Sequence, residues 1–212
     1  MNIEVYLDTS CPYCYIGKKN LETALETFPN EEFNVIYKSF ELDNQAKKYP
    51  SETLYQYLAE RYDKSIADIE DNNEPLVNLA SDMGLTLNLE HAIPSNTRGA
   101  HRLLKYAKKS ELEHPLLDNL YYAHFTENKN LADKDTLLEI AVETGLDEKG
   151  AKEVIDDISL YIEDVIEDEN YAHVLGIKGV PFFIFDKKHA LNGAREVPHY
   201  IQAIETALAD RN

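Results

Sequence analysis

The chain has 212 residues, 39 of them acidic and 21 basic, for a formal net charge of −18, and 43% are hydrophobic. That length suits one domain, or one domain carrying a large insertion, with enough apolar content for a buried core. So acidic a surface repels phosphate backbones and argues against a nucleic-acid partner, and the longest late apolar stretch, GVPFFIF, is far too short to span a bilayer. The opening MNIEVYLDTS has neither a basic stretch nor an apolar run of signal length, so a cytoplasmic protein is expected.

Ile3, Val5 and Leu7 alternate through Ile3 to Asp8 and predict a short strand. CPYCYIGKKNLETALETF follows. Pro12 suits the first helical position, Ile16, Leu21, Leu25 and Phe28 recur at near-helical spacing, and Pro29 stops the run. Phe33, Val35 and Tyr37 alternate in a second strand, which gives a β-α-β opening, the unit of a parallel sheet.

From residue 44 to 169 the pattern is wholly helical. SETLYQYLAERY starts at a Ser-x-x-Leu cap, and EPLVNLASDMG closes at Gly84. SNTRGAHRLLKYAKKSE and HPLLDNLYYAHFTEN are amphipathic. DKDTLLEIAVETG has an acidic cap and closes at Gly145, and one or two further helices run to Gly176. The acidic runs DIEDNNE and EDVIEDEN read as solvated helix faces or a loop, and the second lacks the glycine of a calcium loop. The end reverts to VPFFIFD and HALNGA, two short strands around a DKK turn, and a final helix with Tyr200, Ile201, Ile204 and Leu208 inward. Residues 1–43 and 170–212 therefore read as one discontinuous domain, with 44–169 inserted into it.

Both cysteines lie in TSCPYCYIGK. Cys11 falls where the first helix begins, and the free N–H groups and positive dipole end there stabilise a thiolate. Pro12 fixes the backbone without losing a useful donor. Cys14, one turn on, is within reach of Cys11, so Cys11 can attack a disulfide and Cys14 can resolve the mixed disulfide. A zinc site needs further ligands. The chain has no second C-x-x-C, and its seven histidines are scattered without an H-x₃-H pair, so no metal is expected. Two buried, inert cysteines remain the bland alternative. Pro181 stands just before the third strand; an X-Pro bond there can be cis or trans, and the Val180 backbone could pair with an extended substrate.

CPYCYIGK after a first strand, NTRGAHRLLKYA in the helical block, GIKGVPFFIF, and LNGAREVPHY at the end together resemble the DsbA-like branch of the thioredoxin superfamily. The resemblance spans essentially the whole chain. It is closest to the cytoplasmic FrnE-like subgroup, which is related to 2-hydroxychromene-2-carboxylate isomerases. The resemblance implies an α/β protein, a thioredoxin fold with a large all-helical domain inserted after the first β-α-β unit. It implies thiol–disulfide exchange with Cys11 as nucleophile and Cys14 as resolving cysteine, and a cis Val180–Pro181 bond beside the dithiol. Pro12, Tyr13, Val180, Pro181, Asn96 and His101 are the candidate substrate-binding residues, with a packing histidine the alternative at His101. The intervening Pro-Tyr resembles that of glutaredoxins, whereas periplasmic DsbA enzymes carry Pro-His.

The expected activity is thus a disulfide oxidoreductase acting on protein or small-molecule disulfides and thiols, as a monomer or homodimer. No bound cofactor is expected, and glutathione is the candidate redox partner. One alternative is a glutathione-dependent isomerase or transferase, although isomerase relatives typically have serine where Cys11 stands. Another is an acidic adaptor whose dithiol is a redox switch or a relic.

Overall fold

The structure, a computed structural model, describes residues 1–211. Among them are four strands and nine α-helices, which fall into two compact units, one of residues 1–42 and 163–212 and the other of residues 43–162.

The first unit is built on a four-stranded sheet. Strand β1 (Asn2–Leu7) leads into helix α1 (Pro12–Leu25) and then strand β2 (Asn34–Ser39). The chain returns to the unit with helix α8 (Ile162–Val174), strands β3 (Phe182–Phe185) and β4 (His189–Asn192), and helix α9 (Val197–Ala209). The strand order is β2-β1-β3-β4. β1 pairs parallel with β2, Val5 opposite Tyr37, and antiparallel with β3, Val5 opposite Phe183. A parallel neighbour requires the crossover that α1 supplies, whereas β3 and β4 join through the tight turn at Asp186 and Lys187, both at positive φ.

The strand period of two sorts the apolar side chains onto two faces. On one, Phe183 meets Tyr200 of α9 edge to face at 5.0 Å between ring centroids. On the other, Tyr6 and Ile184 cluster with Ala172 of α8 and with Ile177. Asp168 anchors α8 to β2, accepting from Lys38 Nζ at 2.7 Å and from the Ser39 N–H at 2.9 Å while only 4% exposed.

The second unit holds α2 (Leu54–Tyr62), α3 (Ile66–Asp82), α4 (Arg98–Ala107), α5 (Glu113–Phe125), α6 (Lys134–Thr144) and α7 (Glu148–Asp156). Its core is drawn from α4 to α7, with Leu103, Leu116, Leu120, Tyr121, Phe125 and Ile140 buried. The helix starts carry their own signals: Ser65 and Asp68 form a capping box, and Asp133 and Asp147 accept the N–H groups of Thr136 and Gly150.

Three boundaries differ from the sequence reading. The cap of α2 is Thr53, boxed with Gln56, in place of Ser51. Helix α3 begins at Ile66, so DIEDNNE is helical and Pro75 lies inside the helix. The acidic run EDVIEDEN belongs to α8, which the fold groups with the sheet, so residue 170 falls inside a helix of the sheet unit.

Candidate functional site

β1 ends at Leu7, and four residues later the chain enters α1 through Cys11, the N-cap residue, in extended conformation with φ −95° and ψ 111°. Its side chain makes no capping bond, which leaves the sulfur for other chemistry. Pro12 follows at the first helical position, where a missing N–H costs nothing. The Cys14 and Tyr15 N–H groups close onto the Cys11 carbonyl at 3.0 and 3.3 Å, which sets the two cysteines one turn apart on the same helix.

The Cys11 thiol faces the Val180 carbonyl, Sγ to O 3.7 Å. The Val180–Pro181 peptide bond is cis. Pro181 is seated by Gly17, where an added Cβ would lie 2.9 Å from Pro181 Cγ and 3.1 Å from Phe183 Cζ. Only a glycine lets α1 approach the loop and β3 this closely. Both cysteines are free thiols, and Cys14 is 1% exposed. Burial pushes the Cys14 thiol well up from its ordinary range, and its hydrogen bond with Cys11 adds to the shift, so Cys14 stays protonated at neutral pH. Tyr13, by contrast, is 49% exposed.

Asp8 was missed as a site residue by sequence reasoning. It is 1% exposed and organises the whole junction. Its carboxylate accepts the Ser10 N–H at 3.1 Å and the Leu42 N–H at 2.7 Å, and its carbonyl accepts the Cys11 N–H at 3.1 Å. The available signal was a carboxylate three residues before the first cysteine, at the end of an otherwise apolar strand. Lys18, buried and paired with Glu22 one turn on, was equally invisible as an interior charge.

Cys11, Pro12, Tyr13, Cys14, Val180 and Pro181 thus belong to the sheet unit. Asn96 and His101 belong to the helical unit. Asn96 turns the chain into α4, its Oδ1 accepting the Arg98 N–H at 3.1 Å, and His101 is a buried residue of that helix. Among the described residues no cluster of three or more His, Cys, Asp or Glu could hold a metal ion, and no helix is long and apolar enough to cross a membrane.

A sheet in this order, with a C-x-x-C at the junction of its central strand and first helix, is a thioredoxin-type arrangement. The chain belongs to the DSBA-like thioredoxin domain family, whose model matches residues 2–205. Its structure is similar to that of a probable DsbA oxidoreductase from Streptomyces coelicolor, 32% identical, with TM-score 0.95 over 100% of this chain and 92% of the other. It is 26% identical to Bacillus subtilis YwbO over 168 residues, 74% of this chain and 72% of that protein. The cytosolic disulfide reductase DsbM of Pseudomonas aeruginosa shares the fold at 17% identity, with TM-score 0.64 over 100% of this chain and 97% of that one.

Proposed function

We propose that the protein is a thiol–disulfide oxidoreductase of the FrnE-like kind, working in the cytoplasm through Cys11 and Cys14. The observation that carries this reading is the different placement of two buried thiols: Cys11 caps the start of α1 against the Val180 carbonyl, while Cys14 lies one turn inside the helix and is held protonated. One sulfur is placed to attack and the other to wait.

The Cys11 thiolate attacks one sulfur of a substrate disulfide. The S–S bond breaks, a mixed disulfide forms, and the departing substrate thiolate takes up a proton. Cys14 then gives up its proton and attacks Cys11 Sγ, which releases the second substrate thiol and leaves a Cys11–Cys14 disulfide. The substrate gains two electrons and the chain loses two. Two glutathione thiols restore the dithiol and leave as glutathione disulfide. DsbM, a fold relative, has been crystallised with glutathione, which supports that choice of partner.

In this reading Val180 pairs by its backbone with an extended disulfide substrate, Pro12 and Pro181 shape the floor, and exposed Tyr13 flanks it. Asn96 and His101 are proposed to contribute to substrate binding. Two thiols favour exchange over an isomerase chemistry and over an adaptor with a relic dithiol, neither of which needs the pair.

The test is reduction of insulin disulfides in a glutathione buffer. Cys11→Ser is expected to fall to the uncatalysed background, and Cys14→Ser to accumulate a 1:1 mixed disulfide visible by mass spectrometry. Full activity in Cys11→Ser sinks the proposal. A raised KM with unchanged kcat in Asn96→Ala places that residue in substrate binding, and unchanged kinetics remove it.

A further inference from the structure

The helical unit contains a cavity of about 590 Å³, within the range of small-molecule sites. Its wall is unlike the rest of this acidic chain. Lys48, Arg98, Arg102 and Lys134 all line it, and none of the described lining residues is acidic. The remaining surface is largely aliphatic, from Leu137, Ile155, Ile158 and Ile162.

Arg102 shows why the charge matters. It is 4% exposed, and its Nη1 donates to the carbonyls of Val154 and Asp157 at 2.7 Å and of Leu160 at 3.1 Å. Three carbonyls satisfy donors without cancelling a charge, and Arg102 makes no ion pair among the described residues. A buried cation is costly, and burial lowers the Arg102 pKa although the Asp157 carboxylate opposes that shift. Lys48 also meets no carboxylate among the described residues, whereas Lys134 is bound to Asp156 at 2.9 Å. Ile158 is 69% exposed, an aliphatic side chain left to solvent on the wall of the cavity.

We infer that this cavity binds a small organic anion with an apolar body, the anionic group answering the cationic wall and the body covering the isoleucines. Asn96, proposed above as a substrate-binding residue, also lines this cavity, so binding must be separated from the redox chemistry. It is therefore tested on the Cys11→Ser/Cys14→Ser chain, which cannot exchange disulfides.

The probes are two fluorescent dyes with the same rings, 1-anilinonaphthalene-8-sulfonate and the neutral N-phenyl-1-naphthylamine. One sulfonate dye is expected per chain, bound about tenfold more tightly than the neutral dye, the worth of one charge-assisted hydrogen bond. Lys48→Gln and Arg98→Gln, both at solvent-accessible positions, are each expected to weaken the sulfonate dye about tenfold and leave the neutral dye unchanged. Ile158→Asp is expected to weaken both. Equal affinity of the two dyes, indifference of the sulfonate dye to the lysine and arginine changes, or several dyes per chain overturns the inference. So does displacement of the dye by glutathione, which would hand the cavity to the thiol reaction.

Discussion

The two units differ in how the carboxylates described above are held. In the sheet unit charged side chains and thiols lie inside: Asp8, Lys18, Asp168 and both thiols are buried, and each carboxylate among them accepts a backbone N–H from a distant part of the chain. In the helical unit Asp133 and Asp147 serve as caps next to their own helices, and Lys134 and Lys152 share the exposed Asp156. The sheet unit draws the partners of its buried carboxylates from across long sequence separations. The helical unit also buries polar side chains, Arg102 and Glu113 among them, but its capping and ion-paired aspartates lie near its surface.

The comparison breaks most clearly at Asp168. Asp168→Ala strands Lys38 and the Ser39 N–H, and is expected to cost about 3 kcal/mol in urea unfolding, the loss typical of one partner of a buried pair. A cost near that of an ordinary surface change would remove the contrast between the units. Gly17→Ala drives a Cβ against Pro181 and Phe183, neither of which is a flexible side-chain end, and should cost about 2 kcal/mol, read as a drop in Tm. In the helical unit Asp147→Ala removes the cap to the Gly150 N–H and should cost only about 1 kcal/mol.

The smallest effect at neutral pH is the most telling about burial. The Tyr6 hydroxyl is buried without a hydrogen-bond partner among the described residues, and burial raises its pKa. The Cys14 thiol is raised by burial too. Lys38 is raised because its bond and attraction to Asp168 outweigh burial, which alone would lower it. Each of these groups holds its proton more tightly in the native state than in the unfolded chain. The unfolded chain therefore releases protons first, from about pH 8.5 for cysteine to about 10 for tyrosine and lysine, and stability falls as pH rises through that window. Tyr6→Phe should leave Tm unchanged at pH 7 and flatten its decline above about pH 9.5. A steeper decline in that variant would mean that the hydroxyl is not the group responsible.

The sequence made the local features plain. Alternation marked the first two strands, an apolar run and a turn signal marked the last two, Pro12 marked the helix start that places Cys11 at the cap, and Gly145 marked the end of α6, where it has a φ of +99°. Errors arose where a local signal had a competitor. Ser51 and Thr53 both suit a cap, and only the reciprocal bonds with Gln56 decide for Thr53. Pro75 resembles a first-turn proline, yet the Ser65–Asp68 box had already started α3. The features that stayed hidden depend on distant partners. Asp8 is a site residue because Leu42 lies beside it, and EDVIEDEN joins the sheet unit because Asp168 meets Lys38 and Ser39. No window along the chain contains both halves of such a contact.

The central position of β1 has a consequence for synthesis. One of its neighbours, β2, leaves the ribosome about thirty residues later, but the other, β3, emerges only after the entire helical unit. Until then the edge of β1 that β3 will cover stays open, beside a pair of cysteines able to form disulfides with other nascent chains. The helical unit, continuous in sequence and rich in local contacts, can fold during that interval. The order of translation thus makes the sheet the last part to close.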